Sequence, residues 1–114
     1  MPPKRNPLNL NPLQLKTLTL LQELARIAGG PSPDEEPGGG IAITQLPHPH
    51  GDHFHLGEAV VAARDATGLH NPSVWAALQR KGLVRAKPET VILTAAGQQY
   101  DTGLRDAILH RAAH

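Results

Sequence analysis

Histidines and one aspartate are concentrated in the stretch HPHGDHFHL, residues 48–56. Imidazole and carboxylate groups are the ligands that zinc and other divalent transition metals take in proteins. His53 and His55 are two positions apart, so on a β-strand both side chains would lie on the same face. The alternative interpretation is a set of exposed polar side chains around a turn. We expect no cofactor; if the stretch does bind zinc or another divalent transition metal, its ligands would be His48, His50, Asp52, His53 and His55.

The first part of this stretch, HPHGDH, has the spacing of a known hydrolytic motif. It resembles the dinuclear zinc motif of the metallo-β-lactamase superfamily, in which metal ions activate a water for hydrolysis. That resemblance implies a sandwich of two sheets covered by helices, with further ligands from distant segments. The chain has 114 residues, which suits one ordinary domain and is too short for that fold. We therefore expect no hydrolase, and no set of residues is typical of an enzyme.

The composition restricts which other classes of protein this chain can belong to. Hydrophobic residues make up 39% of the chain, and with a single Phe, Tyr and Trp the core must be aliphatic. The absence of cysteine excludes disulfides and thiolate metal sites. No stretch is typical of a secretory signal or approaches the roughly 20 apolar residues of a membrane span, so we expect a soluble, cytoplasmic protein without a membrane partner. The formal net charge is +1, so any basic site must be local.

The chain divides into a short arm and one domain. Residues 1–10 contain three prolines and two adjacent basic residues, a composition typical of a flexible N-terminal arm. Residues 11–114 are expected to form the domain. Within it, residues 29–40 read GGPSPDEEPGGG, which predicts a Gly/Pro-rich loop.

The first helix is marked by a capping asparagine followed by proline, Asn11-Pro12, and is expected to end at Ala28. Two further leucines, Leu15 and Leu18, fall on the side of the helix away from its main apolar face. They either cover another element, such as the C-terminal helix, or form the seam of a homodimer through the first and last helices. The main apolar face consists of Leu13, Leu20, Leu24 and Ile27.

Strands and a helix pair are predicted in the middle of the chain. Residues 41–46 are rich in β-branched residues, and residues 53–56 alternate polar and apolar, as strands do. The next segment predicts a helix from Glu58 to Ala66. A second helix begins at Asn71-Pro72 and runs to about Lys81.

A hairpin and a last helix are predicted after Gly82. Residues 83–85 and 90–93 form two strands around a turn at residues 86–89. Thr94 is a good cap for the last helix, in which Gly103 favours a break or bend. The apolar face of that helix consists of Tyr100, Leu104, Ala107 and Ile108.

The stretch VWAALQRKGLVRAKPETVILTAAGQQY, residues 74–100, resembles part of the MarR-like winged helix-turn-helix regulators. The resemblance covers residues 57–100 in detail and most of the chain in element order. It implies an α+β winged helix fold: helix, β-hairpin or strand, helix-turn-helix, two-stranded wing and C-terminal helix. The wing is short, and the hairpin with the histidines is longer than the family's usual strand. The residues that carry the resemblance are Leu78, Lys81-Gly82-Leu83-Val84, Val91 to Thr94, and Gly97.

The resemblance implies a small DNA-binding protein, a transcriptional regulator whose partner is double-stranded DNA. Residues 71–81 would be the recognition helix in the major groove, and the wing, residues 83–93, would contact the backbone. Trp75 is expected in the core. The side chains expected to face the groove are Asn71, Ser73, Gln79 and Arg80, and those expected to hold the backbone are Lys81, Arg85 and Lys87.

Local charge supports DNA contact, because residues 80–87 contain four of the chain's basic side chains. Such a cluster gives a salt-dependent attraction to phosphates even without base recognition. The low net charge and the short wing favour an alternative, a winged helix used for protein–protein contact or dimerisation without DNA. In that case the histidines of residues 48–55 could still form a metal site.

Overall fold

A computed structural model describes residues 7–31, 40–44, 51–57, 59–87 and 90–111 of the chain. Within these ranges helices combine with two small antiparallel sheets, so the fold class is α+β. Among the described helices, none combines the length and apolarity needed to cross a bilayer. The elements in chain order are α1 (Pro12–Ala28), β1 (Gly30–Pro31), β2 (Ile41–Ile43), β3 (His53–Leu56), β4 (Ala59–Ala62), two 3₁₀ turns (Ala63–Asp65 and Thr67–His70), α2 (Pro72–Arg80), β5 (Val84–Lys87), β6 (Thr90–Leu93), α3 (Ala95–Gln99), α4 (Arg105–Ile108) and β7 (His110–Arg111).

The predicted bounds of α1 are confirmed. The side-chain oxygen of Asn11 accepts a hydrogen bond from the backbone N–H of Gln14 at 2.8 Å. In return, the backbone N–H of Asn11 donates to the Gln14 side chain at 3.0 Å. This reciprocal cap satisfies backbone donors that the first turn would otherwise leave unpaired.

The apolar surface of α1 is wider than the sequence pattern predicts. Leu20 is buried as expected, but Ile27 is 37% exposed. Leu18 is completely buried within the single chain, so it belongs to the core and not to an exposed seam. The hydroxyl of Thr19 donates to that of Thr102 at 2.6 Å, which shows that the C-terminal segment covers this side of α1.

One sheet has the strand order β1–β2–β6–β5. Strand β2 pairs with the second strand of the predicted wing, Ile41 opposite Leu93 and Ile43 opposite Val91. Strand β5 then pairs with β6 as a hairpin, from Val84 opposite Leu93 to Lys87 opposite Thr90. The predicted turn at residues 86–89 is therefore too long, because residues 86 and 87 continue the strand. Residues 88 and 89 lie outside the described ranges.

The predicted helix from Glu58 to Ala66 is wrong, because residues 59–62 form strand β4 of a hairpin with β3. Leu56 lies opposite Ala59, so only residues 57 and 58 connect the strands. Gly57 has a φ of +58°, as tight two-residue hairpin turns require. The adjacent β-branched Val60 and Val61 favour extended backbone over helix. On its other edge, β4 pairs with β7.

Helix α2 begins and ends close to the predicted positions. The side-chain oxygen of Asn71 accepts from the N–H of Ser73 at 3.0 Å, and Gly82 follows the helix with a φ of +76°. Trp75 is only partly buried, which corrects its expected place in the core. Its indole N–H donates to the carbonyl of Leu69 at 2.9 Å. The buried positions of α2 are Val74, Ala77 and Leu78.

Replacing Trp75 with phenylalanine should lower the free energy of unfolding by about 1 kcal/mol, the net contribution of one hydrogen bond. Phenylalanine keeps an aromatic ring at the site but loses the N–H that reaches the carbonyl of Leu69. Urea melts of the two proteins measure the difference. Equal stability would contradict a contribution from this hydrogen bond.

The single C-terminal helix predicted after Thr94 is wrong: the segment contains two short helices, α3 and α4. The break predicted near Gly103 is confirmed, since this residue has a φ of +71°. The side chain of Asp101 accepts from the N–H of Gly103 at 3.0 Å and stabilises the turn between the helices.

Candidate nucleic-acid interface

The candidate interface consists of the outer face of α2 and the adjoining hairpin of β5 and β6, the predicted wing. Helix periodicity separates this face from the buried side chains of Val74 and Leu78. Among the residues predicted to face the groove, Ser73, Gln79 and Arg80 are exposed. Because position 76 is alanine, the middle of the exposed face carries a small side chain.

Two of the predicted groove contacts already have partners within the protein. The side-chain oxygen of Asn71 is used to cap α2, and the residue is half-buried. The side-chain oxygen of Gln79 accepts from the N–H of Ala86 at 3.2 Å. This bond joins the last turn of α2 to the first strand of the wing, so Gln79 also has a structural role.

The basic residues of the predicted patch have different surroundings. Arg80 and Arg85 are exposed. The ammonium of Lys81 donates to the backbone carbonyl of Leu8, and the N–H of Leu8 donates to the hydroxyl of Tyr100 at 3.0 Å. Thus Leu8, near the end of the predicted N-terminal arm, is bonded to Lys81 and Tyr100, the residues that follow α2 and α3, while residues 1–6 lie outside the described ranges. The side chain of Lys87 also lies outside what the structure describes.

The base of the β5–β6 hairpin is formed by residues of the MarR-like pattern that precede the hairpin and by residues that follow it. The hydroxyl of Thr94 donates to the carbonyl of Gly82 at 2.7 Å and accepts from the N–H of Gly97 at 3.1 Å. Gly97 lies so close to the carbonyl of Leu83 that a Cβ atom at this position would be 2.2 Å from its oxygen. These contacts fix the direction in which the wing leaves α2.

The predicted metal ligands fall into two groups. His48 and His50 lie outside the described ranges. In the hairpin, Nδ1 of His53 is 3.3 Å from the carboxylate of Asp52, and its Nε2 is 3.1 Å from Nε2 of His55. Within the described part of the chain, no three or more His, Asp or Glu side chains are arranged to hold a metal ion.

An ion-pair cluster on α1 was not predicted from the sequence. Glu23 is 3% exposed, and its carboxylate accepts from Nε of Arg26 at 3.1 Å and from Arg105 at 2.8 Å. The hydrogen bond from Arg26 is the main cause that lowers the pKa of Glu23, the charges of both arginines add to it, and burial opposes it. The Glu23–Arg26 spacing was visible in the sequence, but the contact with Arg105 spans 82 residues.

A surface cavity of about 310 Å³ adjoins this cluster, between α1 and the C-terminal segment. Amide, hydroxyl, carboxylate and guanidinium groups line it together with a comparable share of apolar surface. Neither composition nor periodicity indicates it, because its walls come from segments far apart in the chain. The lining residues are Gln22, Tyr100, Asp101, Thr102, Gly103, Arg105 and Asp106.

Comparison with known proteins assigns no family to the chain. The sequence matches no protein-family model, and neither curated proteins nor solved structures give a significant match. What the α2 face does must therefore follow from its own geometry and charge.

Proposed function

We propose that this chain is a small winged helix DNA-binding protein, a transcriptional regulator with α2 in the major groove of double-stranded DNA and the β5–β6 wing on the backbone. The observation that carries the proposal is the strand order β2–β6–β5, in which α1 precedes the first strand and α2 leads directly into the wing. The MarR-like pattern implies the same order of elements, except that two 3₁₀ turns stand where it implies the helix before α2. Helix α2 and the hairpin are adjacent and are joined by the hydrogen bond between Ala86 and Gln79.

The dimensions of α2 suit a major groove. The nine-residue α2, about 10–12 Å across with its side chains, fits the B-DNA major groove, which is about 12 Å wide. Ser73 and position 76 are small, so the backbone of α2 could approach the base edges closely. Arg80, at the end of the same face, can donate to a guanine edge or a phosphate.

The support beneath α2 differs from that of a full helix-turn-helix. Two 3₁₀ turns occupy the place of the helix that should precede α2. The second turn packs directly on α1, where a Cβ atom on Gly68 would lie 1.9 Å from the hydroxyl of Thr17. Trp75 then ties α2 to the same turn through Leu69. These contacts can hold α2 in place without a second helix.

Binding to a labelled random-sequence duplex, measured by fluorescence anisotropy across a salt series, tests the proposal. Each phosphate contact contributes about 0.9 to the slope of log affinity against log salt. The variants Arg80→Ala and Arg85→Ala should each weaken binding and reduce that slope by about 1. Arg64→Ala is the charge-matched control, because Arg64 is exposed on the first 3₁₀ turn, and it should leave the slope unchanged.

Failure of the wild-type protein to bind at low salt and tens of micromolar concentration would overturn the DNA proposal. Equal effects of all three substitutions would indicate attraction by overall charge without a defined face.

A protein-contact or dimerisation module is the second candidate function. Lys81 and Gln79 already have hydrogen-bond partners within the protein. Fewer side chains of the candidate interface are therefore directed only toward a DNA partner, which favours this second function. Under this proposal the wild-type chain would sediment as a dimer or with a protein partner and would show no salt-dependent affinity for the duplex.

A further inference from the structure

Strand β3 presents two imidazoles side by side. His53 and His55 lie on one face of the strand, whereas Phe54 and Leu56, on the other face, are buried. Pairing with β4 along the whole length of β3 holds the backbone of both histidines. Their side chains therefore converge because the strand is anchored, and not only because they are close in sequence.

The Nε2 atoms of His53 and His55 are about as far apart as two nitrogen ligands of one metal ion. Nε2 of His53 is 3.1 Å from Nε2 of His55, with the ring planes nearly perpendicular. At this distance two nitrogen lone pairs repel unless a proton or a cation lies between them. Nitrogens on a tetrahedral zinc, each about 2.0–2.1 Å from the metal, are about 3.3–3.4 Å apart, so little movement is needed.

Asp52 is placed to orient one of the rings. Its carboxylate is 3.3 Å from Nδ1 of His53, the nitrogen that points away from His55. When Nδ1 carries the ring proton and donates it to Asp52, Nε2 keeps its lone pair for a metal. A carboxylate behind a ligating imidazole is a common arrangement around protein-bound metals.

We propose that His53 and His55 bind one divalent transition-metal ion through their Nε2 atoms, with Asp52 orienting His53 and water completing the coordination. Imidazole ligands suit Zn²⁺, Cu²⁺ and Ni²⁺ better than Mg²⁺ or Ca²⁺. The site needs two protein ligands, so the lack of a larger group among the described residues does not bear on it. Because the side chain of His53 is 38% exposed, solvent can reach the ion. The site does not depend on the proposed DNA function.

Zinc titration of the full chain, followed by calorimetry and by long-range proton–nitrogen spectra of the imidazoles, tests this site. We expect one zinc ion per chain and large shifts of Nε2 in His53 and His55. His55→Gln should weaken zinc affinity at least tenfold, and Asp52→Asn by about tenfold, as losses of supporting carboxylates do. His70→Gln is the matched control, since His70 is exposed on the second 3₁₀ turn, and it should change nothing.

Magnesium should produce no shift at either ring. Absence of zinc-dependent shifts at Nε2 of both histidines would overturn the proposal, and so would equal zinc affinity in the wild type and in His55→Gln. A loss of binding in a variant with His48 and His50 replaced by glutamine, but not in His55→Gln, would also overturn it and assign the metal to those residues.

Discussion

Replacing Gly97 with alanine should lower the free energy of unfolding by about 3 kcal/mol or more. The added methyl group would lie 2.2 Å from the backbone oxygen of Leu83 and 2.7 Å from a methyl carbon of Leu93. Backbone on one side and a buried side chain on the other leave it no room, so α3 must move away from the base of the wing. Thermal and urea unfolding measure the loss, which should also lower the melting temperature by about 10 °C.

The substitution Gly103→Ala is a control that distinguishes steric crowding from backbone strain. Gly103 has a φ of +71° but no atom near an added Cβ, so Gly103→Ala should cost only about 1–2 kcal/mol, the penalty of left-handed backbone. If Gly97→Ala is no more destabilising than Gly103→Ala, α3 does not pack on Leu83 as closely as described.

Replacing Glu23 with glutamine should lower the free energy of unfolding at pH 7 by about 2–3 kcal/mol. The amide keeps the shape of the side chain but loses the charge that accepts hydrogen bonds from Arg26 and Arg105. Its NH₂ group would also face one of the guanidinium groups without an acceptor. Since both arginines are 59% exposed, solvent compensates part of their loss.

The stabilisation that Glu23 provides should decrease as the pH falls. Folding lowers the pKa of Glu23 below its ordinary value of 4.5, chiefly through the hydrogen bond from Arg26. The unfolded chain therefore binds the proton at higher pH than the folded chain does. The stabilisation is fully present above the unfolded value and is lost as the pH falls through the lower folded value. Urea melts of the wild type and Glu23→Gln should accordingly converge as the solution is acidified below about pH 4.5.

Asp106→Asn provides the control for charge, because Asp106 is exposed on α4 and should change stability by no more than about 0.5 kcal/mol. A constant difference between the wild type and Glu23→Gln from pH 7 to pH 3 would show that packing, not ionisation, causes the loss.

Local signals in the sequence predicted much of the α+β fold. Each asparagine–proline pair begins a helix because the cap acts on the next turn only. Gly82 ends α2 and Gly103 interrupts the C-terminal segment, again through the conformation of one residue. The hairpin of β3 and β4 was not predicted, since a short alanine- and valine-rich segment fits either a helix or a strand. Pairing of β4 with β7, which lies far along the chain, stabilises the strand.

The candidate interface was predictable only where exposure follows from periodicity. Ser73 and Arg80 are exposed as the helical pattern of α2 implies. The hydrogen bond between Gln79 and Ala86 depends on where the hairpin folds back. The contact of Lys81 with Leu8 joins residues 73 positions apart, so a local pattern could not predict either. The glycine of the MarR-like pattern has a physical reason as well, because only a residue without Cβ fits against Leu83 at position 97.

The contacts between α1 and the C-terminal segment also affect how the protein is made. Thr19, Gln22 and Glu23 find partners 75 to 83 residues later in the chain. Ribosomes add about 5–20 residues per second, so these three side chains of α1 wait about 4 to 15 seconds for their partners. During that interval this polar side of α1 is open to water and to other nascent chains. The rate of translation between residues 24 and 97 therefore sets how long this side of α1 lacks its C-terminal partners.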